Sequence, residues 1–281
     1  MIDWQAVTVS TLHRGVLGAT PLLLAATGEL IGQRAGLLNI GIEGVMLAGA
    51  LAGAAVGWWS GSAMAGLLAA AAVGALIGLV YAIWTVWAAR DQIVTGLAIN
   101  LLALGLTGVI LERLDAVAAA QQSEFTSPRL PPIVSVDVEQ QPLMYLFASY
   151  DGVVLATLIL VTMTVVLLNR SRPGLVLRAV GENPEAVETA GYRVAAVRTI
   201  AAMIASALTA VGGAHLAMGI SDRFQENMTA GRGFVALALV IFGRWSPARV
   251  ALAALFFGML DALQVTLQPH LGRHVHLLYP A

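Results

Sequence analysis

The chain has 281 residues, 58% of them hydrophobic and only 11% charged, with a formal net charge of −1. This balance excludes an ordinary soluble domain and a nucleic-acid-binding surface, and describes an integral membrane protein. Cysteine is absent, which excludes disulfides and thiolate metal or redox chemistry.

The apolar stretches approach ~20 residues and are rich in Ala, Leu and Gly, without the short-period alternation of a membrane β-barrel. The expected fold class is therefore all-α: one polytopic transmembrane helical bundle over residues 1–281, with about eight hydrophobic segments. The first dozen residues read as an interfacial arm with Trp4 as an anchor. A basic n-region followed by an A-x-A-type cleavage site is missing, so the first segment is expected to be a retained span. It runs from Gly15 to Ile31, with Pro21 inside it, Glu29 near its end and Arg34 marking its cytoplasmic side. A second span, Asn39 to Trp59, carries Gly41, Gly49, Gly53 and Gly57 on one face, a seam along which two helices can approach closely. Asn39 and Glu43 lie four apart at its cytoplasmic start, where a structural or gating role suits them better than solute contact.

A third span, Met64 to Ala88, has Gly74 and Gly78 at the same spacing and ends at Arg90. The fourth, Gln92 to Leu111, holds Asn100 in an apolar run. An amide near mid-membrane either bonds to a neighbouring helix or serves a solute path, where it can both donate and accept. Residues 112–150 turn polar and proline-rich and read as the main external loop. A fifth span, Val153 to Leu168, leads into residues 170–198, where Arg170, Arg172, Arg178, Arg193 and Arg198 mark a cytoplasmic loop. Inside this loop is a short helix with both ends signalled. Asn183 can cap it, Pro184 fits its first position, Glu185 suits the positive end of the dipole and Gly191 can close it. Glu185 and Glu188 can share a face, and Val187 and Ala190 can supply apolar contact.

A sixth span, Ile200 to Ile220, contains His215. The polar stretch 221–232 then precedes residues 233–243, which as a helix are only ~16 Å long and too short to cross a ~30 Å core. Such a segment either extends into its polar neighbours or is a broken helix covered by protein or water. Phe224, Met228, Thr229 and Phe234 flank it and either pack the bundle or stack on a flat solute. Residues 243–249 form a second cytoplasmic turn, and Val250 to Leu267 is the last clear span, with Asp261 and Gln264 on one face. Both termini fall outside. His215, His270, His274 and His276 do not make a metal site, and no metal is expected.

Several stretches resemble the permease subunits of ABC importers for nucleosides and simple sugars, a group related to ribose and branched-chain amino acid permeases. They are Thr20 to Leu24, Arg34-Ala35-Gly36-Leu37-Leu38-Asn39-Ile40-Gly41-Ile42-Glu43-Gly44, and Leu101 to Gly108. Arg178-Ala179-Val180-Gly181-Glu182-Asn183-Pro184-Glu185-Ala186 through Ala190-Gly191 follows, then Met228 to Ala238. Their order is kept over nearly the whole chain. The resemblance implies that residues 182–191 form the coupling helix that docks on an ATPase subunit, as Glu182, Asn183, Pro184, Glu185, Ala186, Val187, Glu188, Ala190 and Gly191. It implies ATP and Mg on partner ATPase subunits, with no cofactor on this chain, and a second homologous permease, giving a heterodimer. It also implies an extracytoplasmic substrate-binding protein and a multi-pass location in the bacterial inner membrane, in contact with lipid. The shorter permease of nucleoside importers is the nearest match.

Asn100, Phe224, Met228, Thr229 and Phe234 are the candidate substrate-pathway residues, and Asn39, Glu43, Gly49 and Gly53 the structural or gating ones. Members of this family usually continue with another hydrophobic segment after a stretch resembling His270 to Ala281, and the expectation is that this chain lacks that final span, by truncation or by divergence. Alternatives are a simple sugar, riboflavin or other small heterocycle as cargo, or an ion-coupled carrier, for which only Asp261 is a fair mid-membrane carboxylate. No catalytic constellation or phosphate loop is present, which argues against an enzyme.

Overall fold

The computed structural model describes residues 4–136 and 141–275, with side chains at 8–136, 141 and 144–266. Trp4 and His270, His274 and His276 lie outside the described side chains. No strand forms among the described residues, and seven helices are long and apolar enough to cross a membrane.

The first of these, α1 (Trp4–Arg34), takes in the expected interfacial arm and passes through Pro21 without a break. It is the centre of the bundle: 83% of its apolar window is buried, against 22% for the outer spans Ala63–Trp87, Gln92–Ala120 and Pro247–Thr266. The next elements are α2 (Ile42–Ser60) and α3 (Ala63–Ala82), which widens into a π turn over Ile83–Trp87. The fourth, α4 (Gln92–Ala120), starts under the side chain of Asp91, which accepts from the Ile93 and Val94 amides at 2.9 Å. It runs past Leu111 into the segment expected to be external loop, because the polar residues there are interleaved with alanines that favour helix. That segment contains a second short helix, α5 (Pro142–Ala148). After α6 (Gly152–Arg170) come two cytoplasmic helices, α7 (Arg172–Glu182) and α8 (Pro184–Thr189). The chain re-enters as α9 (Val194–His215), which ends in a π turn over Leu216–Ile220, and finishes with α10 (Arg232–Phe242) and α11 (Pro247–Val275).

Close approach of backbones sets the packing. α9 and α11 run along α1, while α2 and α3 run along α9. A Cβ on Gly49 would collide with the backbone of Ala210, one on Gly53 would lie 2.6 Å from the Ala214 side chain, and those on Gly74 and Gly78 would strike the carbonyls of Ser206 and Ala202. The glycine seams of α2 and α3 therefore both receive α9. Gly41 lies outside that seam: it precedes the helix and packs against Gly96 of α4. Without a hydrophobic drive between helices in lipid, such contacts carry the association.

One end of the bundle is knitted by arginine. Arg34 donates to the Trp245 carbonyl at 2.7 Å, and the Trp245 indole donates to Gln33 at 2.6 Å. Arg198 donates to the carbonyls of Ala35 at 3.1 Å and Val180 at 3.3 Å. Residues 34–36, 180 and 243–249 therefore share one end, the cytoplasmic one by the positive-inside rule.

At the other end Asp151 caps α6, accepting from the Val153 and Val154 amides at 2.8 and 3.0 Å, and its second oxygen meets buried His215 at 3.0 Å. Burial pushes the Asp151 carboxyl up, but the His215 hydrogen bond and charge, with the two amides, outweigh it and hold it below its ordinary 3.8. A carboxyl lowered on folding stabilises the protein above its unfolded pKa, and that stability is lost as pH falls through the folded value.

Two outcomes follow. Gly49→Val is expected to destabilise the protein by about 1–3 kcal/mol through overpacking against α9, whereas Gly105→Ala, with open space around it, leaves thermal stability in detergent unchanged or slightly raised. Asp151→Asn is expected to lower the melting temperature at pH 7 and to flatten its decline below about pH 4, measured as melting temperature against pH.

Candidate functional site

α1 ends at Arg34 and is closed by Gly36, whose φ of +82° sits in the left-handed region, and the Leu37 and Gly36 amides return to the carbonyls of Gly32 and Gln33, both at 3.0 Å. The chain then stays non-helical from about residue 37 until Ile42. Such backbone is tolerated at membrane depth only where protein satisfies it. Gln92 of α4 accepts from the Leu38 amide at 2.7 Å, and the Tyr81 hydroxyl of α3 donates to the Leu38 carbonyl at 2.8 Å. Asn39 accepts from the Gly41 amide at 2.9 Å, and its own amide approaches buried Glu29 at 3.4 Å. Asn100 closes the set: its amide nitrogen donates to the Ile40 carbonyl at 2.8 Å, and its oxygen accepts from the Gly44 amide at 2.7 Å. The Asn100 side chain thus holds the start of α2.

Glu43, in the first turn of α2, does the same for α10. One carboxylate oxygen accepts from the Gly231 amide at 2.8 Å and the other from the Gly233 amide at 2.7 Å. α10 has no capping side chain of its own, and Gly231 at φ +85° leads into it. α10, with Gly243 at its cytoplasmic end, spans ~16 Å over its eleven residues, about half the hydrocarbon thickness. It is therefore a half-helix, and its positive end, commonly an anion site, is already filled by the chain's own carboxylate. Arg232 then pairs with Asp261 of α11 at 3.1 Å. Asp261 and Gln264 line a cavity of about 350 Å³ with Arg232, Leu22 and Phe257.

The remaining pathway candidates divide. Phe224 is buried with Leu47, Leu51, Ala54 and Phe125, and Met228 packs against that cluster. Thr229 is fully buried, while Phe234 on α10 is half exposed. No group of three His, Asp or Glu able to hold a metal occurs among the described residues.

At the cytoplasmic end the Asn183 side chain caps α8 by accepting from the Ala186 amide at 3.1 Å. Its far end closes as a Schellman motif: Tyr192 N–H reaches the Val187 carbonyl at 3.2 Å, Gly191 N–H reaches that of Glu188 at 2.9 Å, and Gly191 has φ +86°. Val187 points inward, buried with Val180 and Val194, and so anchors α8. Glu182, Glu185, Ala186, Glu188 and Ala190 are exposed and Pro184 half-buried. The apolar contact of Val187 is with its own bundle.

Gln92, Arg232 and Asp151 were not singled out by their local sequence, while Arg198 counted there only as one of five loop arginines and His215 only as a polar residue of its span. The signal available for Gln92 and Arg198 was a polar residue just inside a span's cytoplasmic end. Glu43→Ala is expected to leave two amides inside the bundle without an acceptor and to cost about 3 kcal/mol. Glu43→Gln recovers part of that, both read as thermal stability of purified protein.

Comparison with known proteins places this architecture. The family model for the permease component of branched-chain amino acid transport systems matches residues 11–277. A guanosine ABC transporter permease protein of Bacillus subtilis is 33% identical over 261 residues, 88% of this chain and 79% of the relative. A nucleoside ABC transporter permease protein of Lactococcus lactis is 31% identical over 259 residues, with 88% and 79% covered. A Haloferax volcanii protein provisionally named as a glucose ABC transporter permease is 38% identical over 260 residues, 92% of this chain and 77% of its own. No solved structure gave a match. With seven membrane-length helices, a half-helix and a family match over nearly its whole length, the chain belongs to the branched-chain amino acid transport system permease component family of ABC permeases.

Proposed function

We propose that the chain is the membrane-spanning subunit of an ATP-driven importer, forming half of the path for a nucleoside, with a second homologous permease forming the other half. An extracytoplasmic binding protein delivers the solute. ATP and Mg²⁺ belong to separate ATPase subunits, which meet this chain at α8. The observation that carries the reading is mechanical continuity. The exposed carboxylates of α8 sit on a helix tied by Val187 to α7 and α9, and Arg198 ties α7 and α9 to the turn after α1. That turn opens into the non-helical stretch whose far end is held by Asn100 and whose first helical turn holds α10 through Glu43. A push on α8 therefore reaches the half-helix at mid-membrane through a short series of polar contacts.

A nucleoside is uncharged, which suits a half-helix whose anion-binding end is already occupied. The names of the guanosine and nucleoside relatives support this cargo, and that of the 38% identical relative favours a second reading, a neutral hexose. Pairing of Asp261 with Arg232 weighs against an ion-coupled carrier that needs a free carboxylate. In this reading Asn100 shapes the path by fixing the start of α2, and Phe234 is the aromatic candidate best placed to meet solute, since Phe224 and Met228 serve packing.

Glu185→Arg reverses an exposed charge without touching the fold. It is expected to lower solute uptake at least tenfold at unchanged membrane level and to reduce ATPase recovery when the tagged chain is purified. Full uptake with the variant would mean that α8 merely joins two spans. Calorimetry of the co-purified binding protein with guanosine and with glucose separates the two cargo readings.

A further inference from the structure

Beneath the arginine-rich loop, α6, α7 and α9 enclose an open apolar groove of about 570 Å³, floored by Ile31 of α1. One wall is the face of α6 that carries Leu160, Met163 and Leu167; the other is the face of α9 that carries Val197, Ile200, Ile204 and Leu208. From Val197 to Leu208 is about 16 Å of helix, close to the ~15 Å depth of one hydrocarbon leaflet. Met163 and Ile200 are more than half exposed, so the groove is open to the surroundings of the bundle. Its cytoplasmic rim carries Arg172 and Tyr192. Arg172 is exposed, and none of the ion pairs among the described residues involves it. Tyr192 is an interfacial aromatic whose backbone amide also closes α8.

We infer that this groove binds one anionic phospholipid of the cytoplasmic leaflet, with an acyl chain between α6 and α9 and its phosphate on Arg172. Depth, apolar walls and an unpaired cation at the headgroup level together match that ligand class. Another groove, about 620 Å³ between α3 and α4, differs where it matters: its rim carries Arg90 beside the opposite charge of Asp91, which offsets its attraction for an anion. The lipid bridges α6, α7 and the residue that terminates α8, so its occupancy stiffens the base of the segment to which coupling is assigned. The binding inference itself is independent of cargo and of coupling.

The test is native mass spectrometry of the transporter purified with its partner subunits from membranes holding phosphatidylglycerol and phosphatidylethanolamine, after partial delipidation. Phosphatidylglycerol is expected to be retained preferentially, and Arg172→Gln to weaken its retention roughly fivefold, the worth of one interfacial cation. Arg90→Gln should leave retention unchanged, and Ile204→Trp, which fills the groove, should displace the lipid whatever its headgroup. Equal retention of both lipids, or unchanged retention in Arg172→Gln and Ile204→Trp, overturns the inference. The chain has no cysteine, so Met163→Cys labelled with a benzophenone in native membranes gives an independent reading. A phospholipid adduct supports the site, and a crosslink to another protein subunit overturns it.

Discussion

Backbone polar groups inside a bilayer have no water to turn to, and this fold begins two helices there. α2 and α10 start inside the bundle with no capping side chain of their own. Each is completed by a side chain from elsewhere: Asn100 of α4 for α2, and Glu43 of α2 for α10. Everything at mid-membrane depends on that borrowing. It fixes the order α4, α2, α10, α11 as a series of polar contacts through an apolar bundle, with Arg232 and Asp261 as its last link. Because every member has a partner, the series is a rigid connection and not a set of vacant sites.

The rest of the bundle is arranged to let those few contacts form. α1 lies at the centre, and the glycines of α2 and α3 bring α9 close enough for backbone to touch backbone. The same closeness places Gly41 against Gly96, so the segment before α2 passes within reach of Asn100 and Gln92. A larger side chain at any of these glycines would separate the helices by more than a hydrogen bond can span. Packing and polar satisfaction are therefore one requirement expressed twice.

What was legible in the sequence was local. Asn183, Pro184 and Gly191 announce α8 because capping depends on residues a few positions apart, and the cap and the left-handed glycine are both observed. The four-residue spacing of Gly49 and Gly53 announces a seam, though it could not say that α9 fills it. Hydropathy gave the spans, and it ended α4 too early because Glu112, Arg113 and Asp115 interrupt apolarity without interrupting an alanine-rich helix. Asn39, Glu43 and Asn100 stood out as residues, but the contacts they make were not legible. Glu43 meets amides 188 and 190 residues away, and nothing in the neighbourhood of either end announces the other. Asn100 showed as an amide in an apolar run, and only its two backbone partners reveal that it braces a helix start. Val187 likewise looked like a docking residue until its neighbours Val180 and Val194 were in place.

The half-helix also constrains how the protein is assembled. A segment of eleven residues led by Arg232 is too short and too polar at its head to rest in hydrocarbon alone. Its arginine needs Asp261, which is synthesised later, and its amides need Glu43, which was synthesised much earlier. α10 consequently has no stable seat until α2 is already inserted and α11 has left the ribosome. The seating of α10 is therefore a late event in the making of the bundle, because it joins groups from both ends of the chain.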